Sequence, residues 1–447
     1  MTLSRSSVLF YNDFASGPEP EVGGPLSFGR DSEKWTLGRD GLYHRARAGQ
    51  WAYEWWDLSG KVSQPPSRRP LFDINLAVTP LNDDSADFSA SSAWIFPGGS
   101  WTRTAVRSVF GPSYSAWQVT NTDASPRGPY QAFTATGGVV VVASTVFETV
   151  GGTGDSAYEF RLFNQDTLSS IVEASFDQTT GTAVISGGSG TLNLRKLSDA
   201  GPNGGALYRI SIVASVGSGT TFRTQFALLE TNGSVILHHS QAYEYWQETS
   251  PIVYAGSPVT RTQDVVGAAG PPPQSMVGYA ALVARGASSD ADKSRRIIAH
   301  GSFDNPRLHV FLNNAHLGVF LVDGGGASNS ANAANDDWTP GAYVEVFYLY
   351  DHATGGLYIG TRADGGAVTS VGPNVPGTFT APTFWNGGSE LDNTIGWGGD
   401  GDLSGSELGL SMERHYCVNP DDLDAAIDGT AGGALMDELA GFHMRGP

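Results

Sequence analysis

The residues whose types and spacing can do chemistry are few. His238 and His239 are adjacent in "SVILHHSQAY". On a strand such neighbours point to opposite faces, so they are not expected to share one ion. His415 and Cys417 in "ERHYC" would share a face, but that is half of a zinc site and no second pair accompanies it. "GGDGDLSGSE" places Asp400, Asp402 and Glu407 on one glycine-rich turn, where hard oxygens suit Ca²⁺. The spacing is not that of an EF-hand, and a solvated turn explains the same acids more simply. No cofactor is expected, calcium on this turn being the one alternative. Neither a GxSxG elbow nor a phosphate loop is present, and "GGTGDS" lacks the lysine a phosphate loop needs. An acid pair for glycoside cleavage is a matter of three-dimensional separation, so 45 Asp and Glu single out none. The expectation is a protein with no catalytic residues.

Binding chemistry is better represented. Sugar recognition needs a flat apolar face for the C–H side of the ring and planar polar groups for the hydroxyls. Trp385 and Asn386 in "FWNGG", and Trp397 in "GWGGDG", sit among small residues that leave such groups accessible. They are the glycan candidates. Trp338, just before a strand, reads as core. Trp51, Trp55 and Trp56 crowd into "QWAYEWW", where exposure to water would be costly. They are read as contacts to a neighbouring subunit or a larger particle.

The elements that must position these residues are strands. With 58 Gly, 24 Pro, 11 Trp, 16 Tyr and 21 Phe, and charged residues at 16%, the chain of 447 residues reads as all-β. A net charge of −19 argues against nucleic-acid binding, which needs a basic stripe. Cys417 is the single cysteine, so no intrachain disulfide forms. The start, "MTLSRSSVLFYNDF", does not look like a signal peptide, and no apolar run is long enough for a membrane helix.

Residues 1–75 are loop-rich with short aromatic runs and read as an adaptor; "GRDG" marks a hairpin turn. Residues 76–266 carry evenly spaced strands of five to ten residues, the pattern of an antiparallel sandwich of the jelly-roll kind. In "ALYRISIVASV", Leu207, Arg209 and Ser211 alternate with Tyr208, Ile210 and Ile212, which predicts one buried face and one wet face. "GAAGPPPQS", 267–275, reads as a proline-stiffened linker, and a second β domain follows over 276–447. Only the end, "NPDDLDAAIDGT…ALMDELAGF", reads as helical, with Asn419 as a cap.

The residues in order also carry a resemblance. "LSFGRDSEKWTLGRDGLYHRA" (26–46), "RRPLFDINLAV" (68–78), "DFSASSAW" (87–94), "LYRISI" (207–212) and "YWQETSPIVYAGSPVTRTQDVV" (245–266) together resemble phage structural proteins of the tail-fibre and head-spike type. Asp73 and Ile74 stand where that family prefers Arg-Thr, and Leu207 where it prefers Trp. The last stretch matches its closing run at Tyr254, Thr260, Arg261 and Asp264. The resemblance implies a virion component, assembled in the host cytoplasm, with a carbohydrate-binding-module-like jelly roll. It further implies a homo-oligomer, trimeric by family habit, with other virion proteins and host-surface polysaccharide as partners. "DDWTPGAYVEVFYLYD" (336–351), "GGLYIG" (355–360) and the segment 393–427 are similar to laminin-G or concanavalin-like sandwiches. The expected architecture is therefore two antiparallel β-sandwich domains, jelly-roll and concanavalin-like, behind a loop-rich N-terminal adaptor. The expected function is host-glycan adhesion by a virion spike or fibre. The alternatives are a decoration protein without ligand and a polysaccharide-degrading enzyme.

Overall fold

The computed structural model describes residues 8–13, 27–56, 67–73, 78–89, 92–98, 101–123, 128–151, 157–245, 248–254, 256–261, 265–268, 273–284, 295–300, 306–312, 316–334, 341–383, 393–395, 409–418 and 432–442. The architecture is almost all-β, with several antiparallel sheets.

The middle of the chain folds as two sheets around one core. A six-stranded sheet runs Thr191–Ser198, Leu207–Ser215, Val140–Thr149, Ser234–Glu244, Ser115–Asn121, Trp101–Arg107. A five-stranded sheet runs Thr182–Gly188, Ser169–Asp177, Ala157–Asn164, Thr221–Leu228, Tyr130–Thr134. Alternate residues such as Tyr208, Ile210 and Ile212 meet Phe160, Leu162, Val172 and Phe226 between them. Aromatic rings fill the centre: Phe147 stacks on Tyr208 at 5.6 Å and meets Phe176 edge-on at 5.1 Å.

One expectation fails in the strand Leu207–Ser215, where every residue but the last is buried. The face carrying Leu207, Arg209 and Ser211 is not wet, because it is roofed over. A hairpin, Lys34–Leu37 with Tyr43–Ala46, covers one part through Trp35, Leu37 and Tyr43, which join Phe110, Val146, Leu207 and Val253. An irregular strap, described over 248–254 and 256–261, covers the rest, with Ile252 and Tyr254 packed on Val142, Val213 and Tyr243.

A second pair of sheets shares its own core, with Met276, Val344, Val346 and Ile359 on one side and Ile298, Leu308, Val310 and Val319 on the other. The eight-stranded sheet includes Thr369–Asn374, Leu357–Ala363, Tyr343–Tyr350, Met276–Ala284 and Gly409–Val418. Three glycine-bearing cross-strand pairs share one logic: in this sheet Gly278 faces Tyr348 and Gly360 faces Phe347, and in the partner sheet Gly318 faces Phe311. A Cβ at any of these glycines would fall into the facing aromatic ring. The ring lies across the bare backbone and supplies the contact a side chain would have made. The helix Gly432–Gly441 packs Leu435, Met436 and Leu439 on the outer face of this sheet, against Tyr279, Phe347 and Tyr358. Asn419 and the acids after it lie outside the described residues.

Strand pairing ties described parts of the expected adaptor region, 1–75, into the later sheets. Val8–Asp13 and Ser67–Asp73 both pair with Gly409–Val418, the first along Arg414–Val418 and the second along Gly409–Ser411. Ser27–Gly29 pairs with Val265–Ala268, which in turn pairs with Asn393–Ile395 of the seven-stranded sheet. The first residues of the expected linker, Gly267 and Ala268, are therefore strand. Unpaired strand edges invite partners, and the N-terminal segments fill edges that the later residues leave open.

Candidate functional site

The strand Tyr53–Trp56 pairs with Ser67–Asp73 and runs beside the roofing hairpin. A cleft of about 750 Å³ lies between them, within the usual range of ligand pockets. Its aromatic wall is Trp51, Tyr53 and Trp55, which an extended segment turns to one side because they alternate with Ala52 and Glu54. Ala52 and Glu54 are buried on the opposite side. Its polar wall comes from the hairpin: Arg39, His44 and Arg45, with Thr36 and Gln50 nearby.

Each wall is held by identifiable contacts. The hairpin turn closes through Gly38 N–H to Leu42 O at 2.8 Å and Leu42 N–H to Asp40 Oδ1 at 3.1 Å, with Gly41 at a φ of +74° that glycine tolerates. The "GRDG" turn forms as its sequence predicts. Trp35 anchors the hairpin edge-on against Phe110 at 5.4 Å and Tyr114 at 5.7 Å. Arg30, only 3% exposed, clamps the loop leading to Trp51: its guanidinium donates to Arg47 O at 2.8 Å, Gln50 O at 2.7 Å and Ser32 O at 2.8 Å. The aromatic wall is fixed from behind by Glu54, which pairs with Arg195 of the middle sheet at 3.0 Å. Within the cleft the Arg39 guanidinium lies 5.3 Å from the centre of the Trp55 ring, a cation–π distance. His44 is hydrogen-bonded to Asp40 at 2.9 Å, and this bond, offsetting the cost of partial burial, holds the Asp40 carboxyl below its ordinary value. A second cleft of about 520 Å³ lies where the strap meets the hairpin, lined by Asp31, Glu33, Trp35, Arg47, Val259 and Arg261 among others.

Trp51 and Trp55, expected at an intermolecular contact, stand together on the aromatic wall and are half-buried within the chain itself. Trp56 belongs to the same strand, but its side chain lies outside the described residues. So do the glycan candidates Trp385, Asn386 and Trp397, the calcium candidates Asp400, Asp402 and Glu407, and Trp338. The polar and aromatic cleft residues not foreseen are Thr36, Arg39, His44, Arg45, Gln50 and Tyr53. The signal for Tyr53 was present: aromatics at 51, 53 and 55 repeat with the period of a strand.

The histidine pair behaves differently from expectation. A β-bulge in Ser234–Glu244 skips His238, so His239 faces Val146 and Leu237 faces Phe147. Both imidazoles then reach the roof layer. His238 Nδ1 accepts from Val109 N–H at 3.3 Å, so its proton is on Nε2, which donates to Glu148 at 3.1 Å. His239 Nε2 donates to Ile252 O at 3.1 Å. Burial pushes both imidazoles down, His239 to about 3, and keeps them neutral. For Glu148 burial acts upward, but hydrogen bonds from His238, Asn203 and Gly205 outweigh it and hold the carboxylate below its ordinary value. These are structural bonds that fasten the roof.

Cys417 also sits in a cluster that resembles chemistry. Its Sγ is 3.4 Å from Tyr348 Oη and 3.9 Å from His300 Nε2, and Tyr348 Oη is 2.6 Å from that same nitrogen. All three are buried in the second core, and burial pushes the thiol up to about 12. A nucleophilic cysteine needs the opposite shift and an open approach. Among the described residues, no group of three or more His, Cys, Asp or Glu is placed to hold a metal ion. No described helix is long and apolar enough to cross a membrane. No protein-family model matches the chain, and no curated protein matches it.

Proposed function

We propose that this chain is a non-enzymatic surface protein of a bacteriophage virion, a head or tail spike or fibre, that adheres to host-surface glycan. In this reading the middle pair of sheets is the jelly-roll, carbohydrate-binding-module-like domain, and the C-terminal pair is the laminin-G or concanavalin-like one. Both are displayed by a homo-oligomer, a trimer, held to other virion proteins. The virion assignment is supported by the ordered resemblance of five segments between residues 26 and 266.

The adhesion assignment is carried by one observation: the cleft joins three aromatic side chains to a facing row of arginine, histidine and glutamine. That is the combination sugars require, an apolar platform for the ring and planar donors for its hydroxyls. Cys417, buried in the second core, and His238 and His239, committed to Glu148 and backbone, offer no nucleophile or base to such a ligand.

The test is a glycan array with the purified full chain, alongside antibody labelling of intact particles in the electron microscope. Saccharide capture with labelled spikes is the expected result. Absence of capture leaves a decoration protein, and release of reducing ends from host polysaccharide identifies an enzyme.

A further inference from the structure

We infer that the cleft beside Trp55 selects an acidic saccharide, with Arg39 as the group that binds its anion; this rests on the adhesion reading above. The first observation is charge. The chain carries 45 acids against 26 bases, yet among the described residues the cleft is lined by Arg39, His44 and Arg45 and by no carboxylate. In so acidic a protein, a ligand site with the opposite balance is a local feature of the site and not of the composition.

The second observation is how those cations are engaged. Two carboxylates stand just outside the cleft. Asp40 holds His44, and Glu33 reaches Arg45 at 3.3 Å, with both of the latter side chains about half exposed. Pairs of that exposure are weak and exchange readily with a competing anion. Arg39 differs. It is exposed, and among the described residues its contact is the Trp55 ring at 5.3 Å, with no ion pair. A guanidinium held beside indole by its charge keeps N–H donors for a carboxylate or sulfate, which its fork can meet in bidentate fashion. A saccharide lying along Trp51 and Tyr53 would bring a ring substituent to that fork.

The experiment uses the full chain and calorimetric titration with matched oligosaccharides: an oligouronate, a sulfated oligosaccharide, and the neutral parent of each. Arg39 lies on an exposed turn, so Arg39→Gln and Arg39→Lys keep the fold. Arg103→Gln, a guanidinium over Phe96 outside this cleft, controls for net charge. The inference expects acidic ligands to bind at least tenfold tighter than their neutral parents. Arg39→Gln should weaken acidic binding about tenfold or more, Arg39→Lys should restore only part of it, and Arg103→Gln should leave it unchanged. The two acidic series decide between carboxylate and sulfate. Equal binding of acidic and neutral sugars, or acidic binding indifferent to Arg39→Gln, overturns the inference while leaving glycan adhesion standing. No binding by any saccharide in the series, with the array also blank, overturns both.

Discussion

Arg209→Met tests whether the strap is held by side chains in place of a β ladder. Arg209 and Glu248 are 3% and 9% exposed, with Nε 2.7 Å from Oε1. The guanidinium also donates to Thr249 O. Removing one partner of a buried ion pair costs about 3–5 kcal/mol, because the other charge stays buried. Asn193 Nδ2 still donates to Glu248 Oε2 at 2.7 Å, so the low end applies, about 3 kcal/mol. Global unfolding is a poor readout, since a chain with two cores need not melt in one step. Amide exchange is local. Thr249 N–H donates to Tyr243 Oη at 2.8 Å and Ile252 N–H to Gln241 Oε1 at 2.9 Å, so both report opening of the strap. A loss of about 3 kcal/mol should speed their exchange roughly 150-fold. Arg209→Met with Glu248→Leu, which leaves no orphan charge, should recover most of that protection. Exchange within about threefold of the parent, or a double variant as loose as the single, would refute the argument.

Other outcomes follow from the same contacts. His239 has a folded pKa of about 3 against an ordinary value near 6.5, so its stabilising contribution is full above pH 6.5 and lost as pH falls. Between pH 6.5 and 5 that amounts to about 2 kcal/mol, and His239→Gln should remove that share of the slope in a thermal-stability profile while leaving the share of His238, which burial also lowers. Glu148, also lowered, contributes above its ordinary value and gives way only in stronger acid, so its loss should appear as a second, lower step. Cys417, pushed up to about 12, should resist a thiol reagent at pH 8 in the native protein and react once denaturant opens the second core; prompt native labelling would contradict its placement. Gly278→Ala would drive a methyl into the Tyr348 ring and should lower stability of the C-terminal sheets by about 1–3 kcal/mol, with Cys417 labelling accelerated in step.

The sequence was legible where a signal was local and periodic. Short strands bounded by glycine and aspartate, and the Asp-Gly turn at residues 40–41, follow from backbone chemistry that a few residues specify. Pairing between distant segments was not legible. Nothing in "VLFYND" says that it will lie along residues 414–418, because ladder hydrogen bonds are made by backbone that every residue shares. His238 was misjudged for a related reason: one bulge changes the face of a side chain, and bulges leave no reliable mark in composition. The cleft was half visible. The aromatic period over residues 51–55 could be read, but its arginine row comes from a different element brought alongside by Trp35 on Phe110.

The alternation in Leu207–Ser215 carries the more general point. Period-2 alternation of apolar and polar residues separates two faces, and it does not say that the polar one meets water. Here Arg209 and its neighbours His239, Ser240 and Gln241 are buried. They face a strap that holds Pro251 and Pro258, and proline cannot donate to a ladder. The strap's backbone polar groups still need partners once covered. Many find them in side chains: Gln241 for Ile252 N–H, His239 for Ile252 O, Ser85 for Tyr254 N–H, Arg209 for Thr249 O; Tyr254 O, Gly256 O and Arg261 pair instead with backbone of residues 78–86. A polar face and a proline-bearing, strand-poor segment are thus two halves of one device. Polar residues such as Arg209, or His239 and Gln241, alternating within otherwise apolar strands that precede such a segment point to a covered sheet. The same economy governs Tyr53–Trp56, whose odd residues build the cleft while Glu54, on the other face, ties the strand to Arg195. The aromatic wall of the cleft and the joint between the two sheet systems are therefore opposite sides of one strand, and neither can shift without the other.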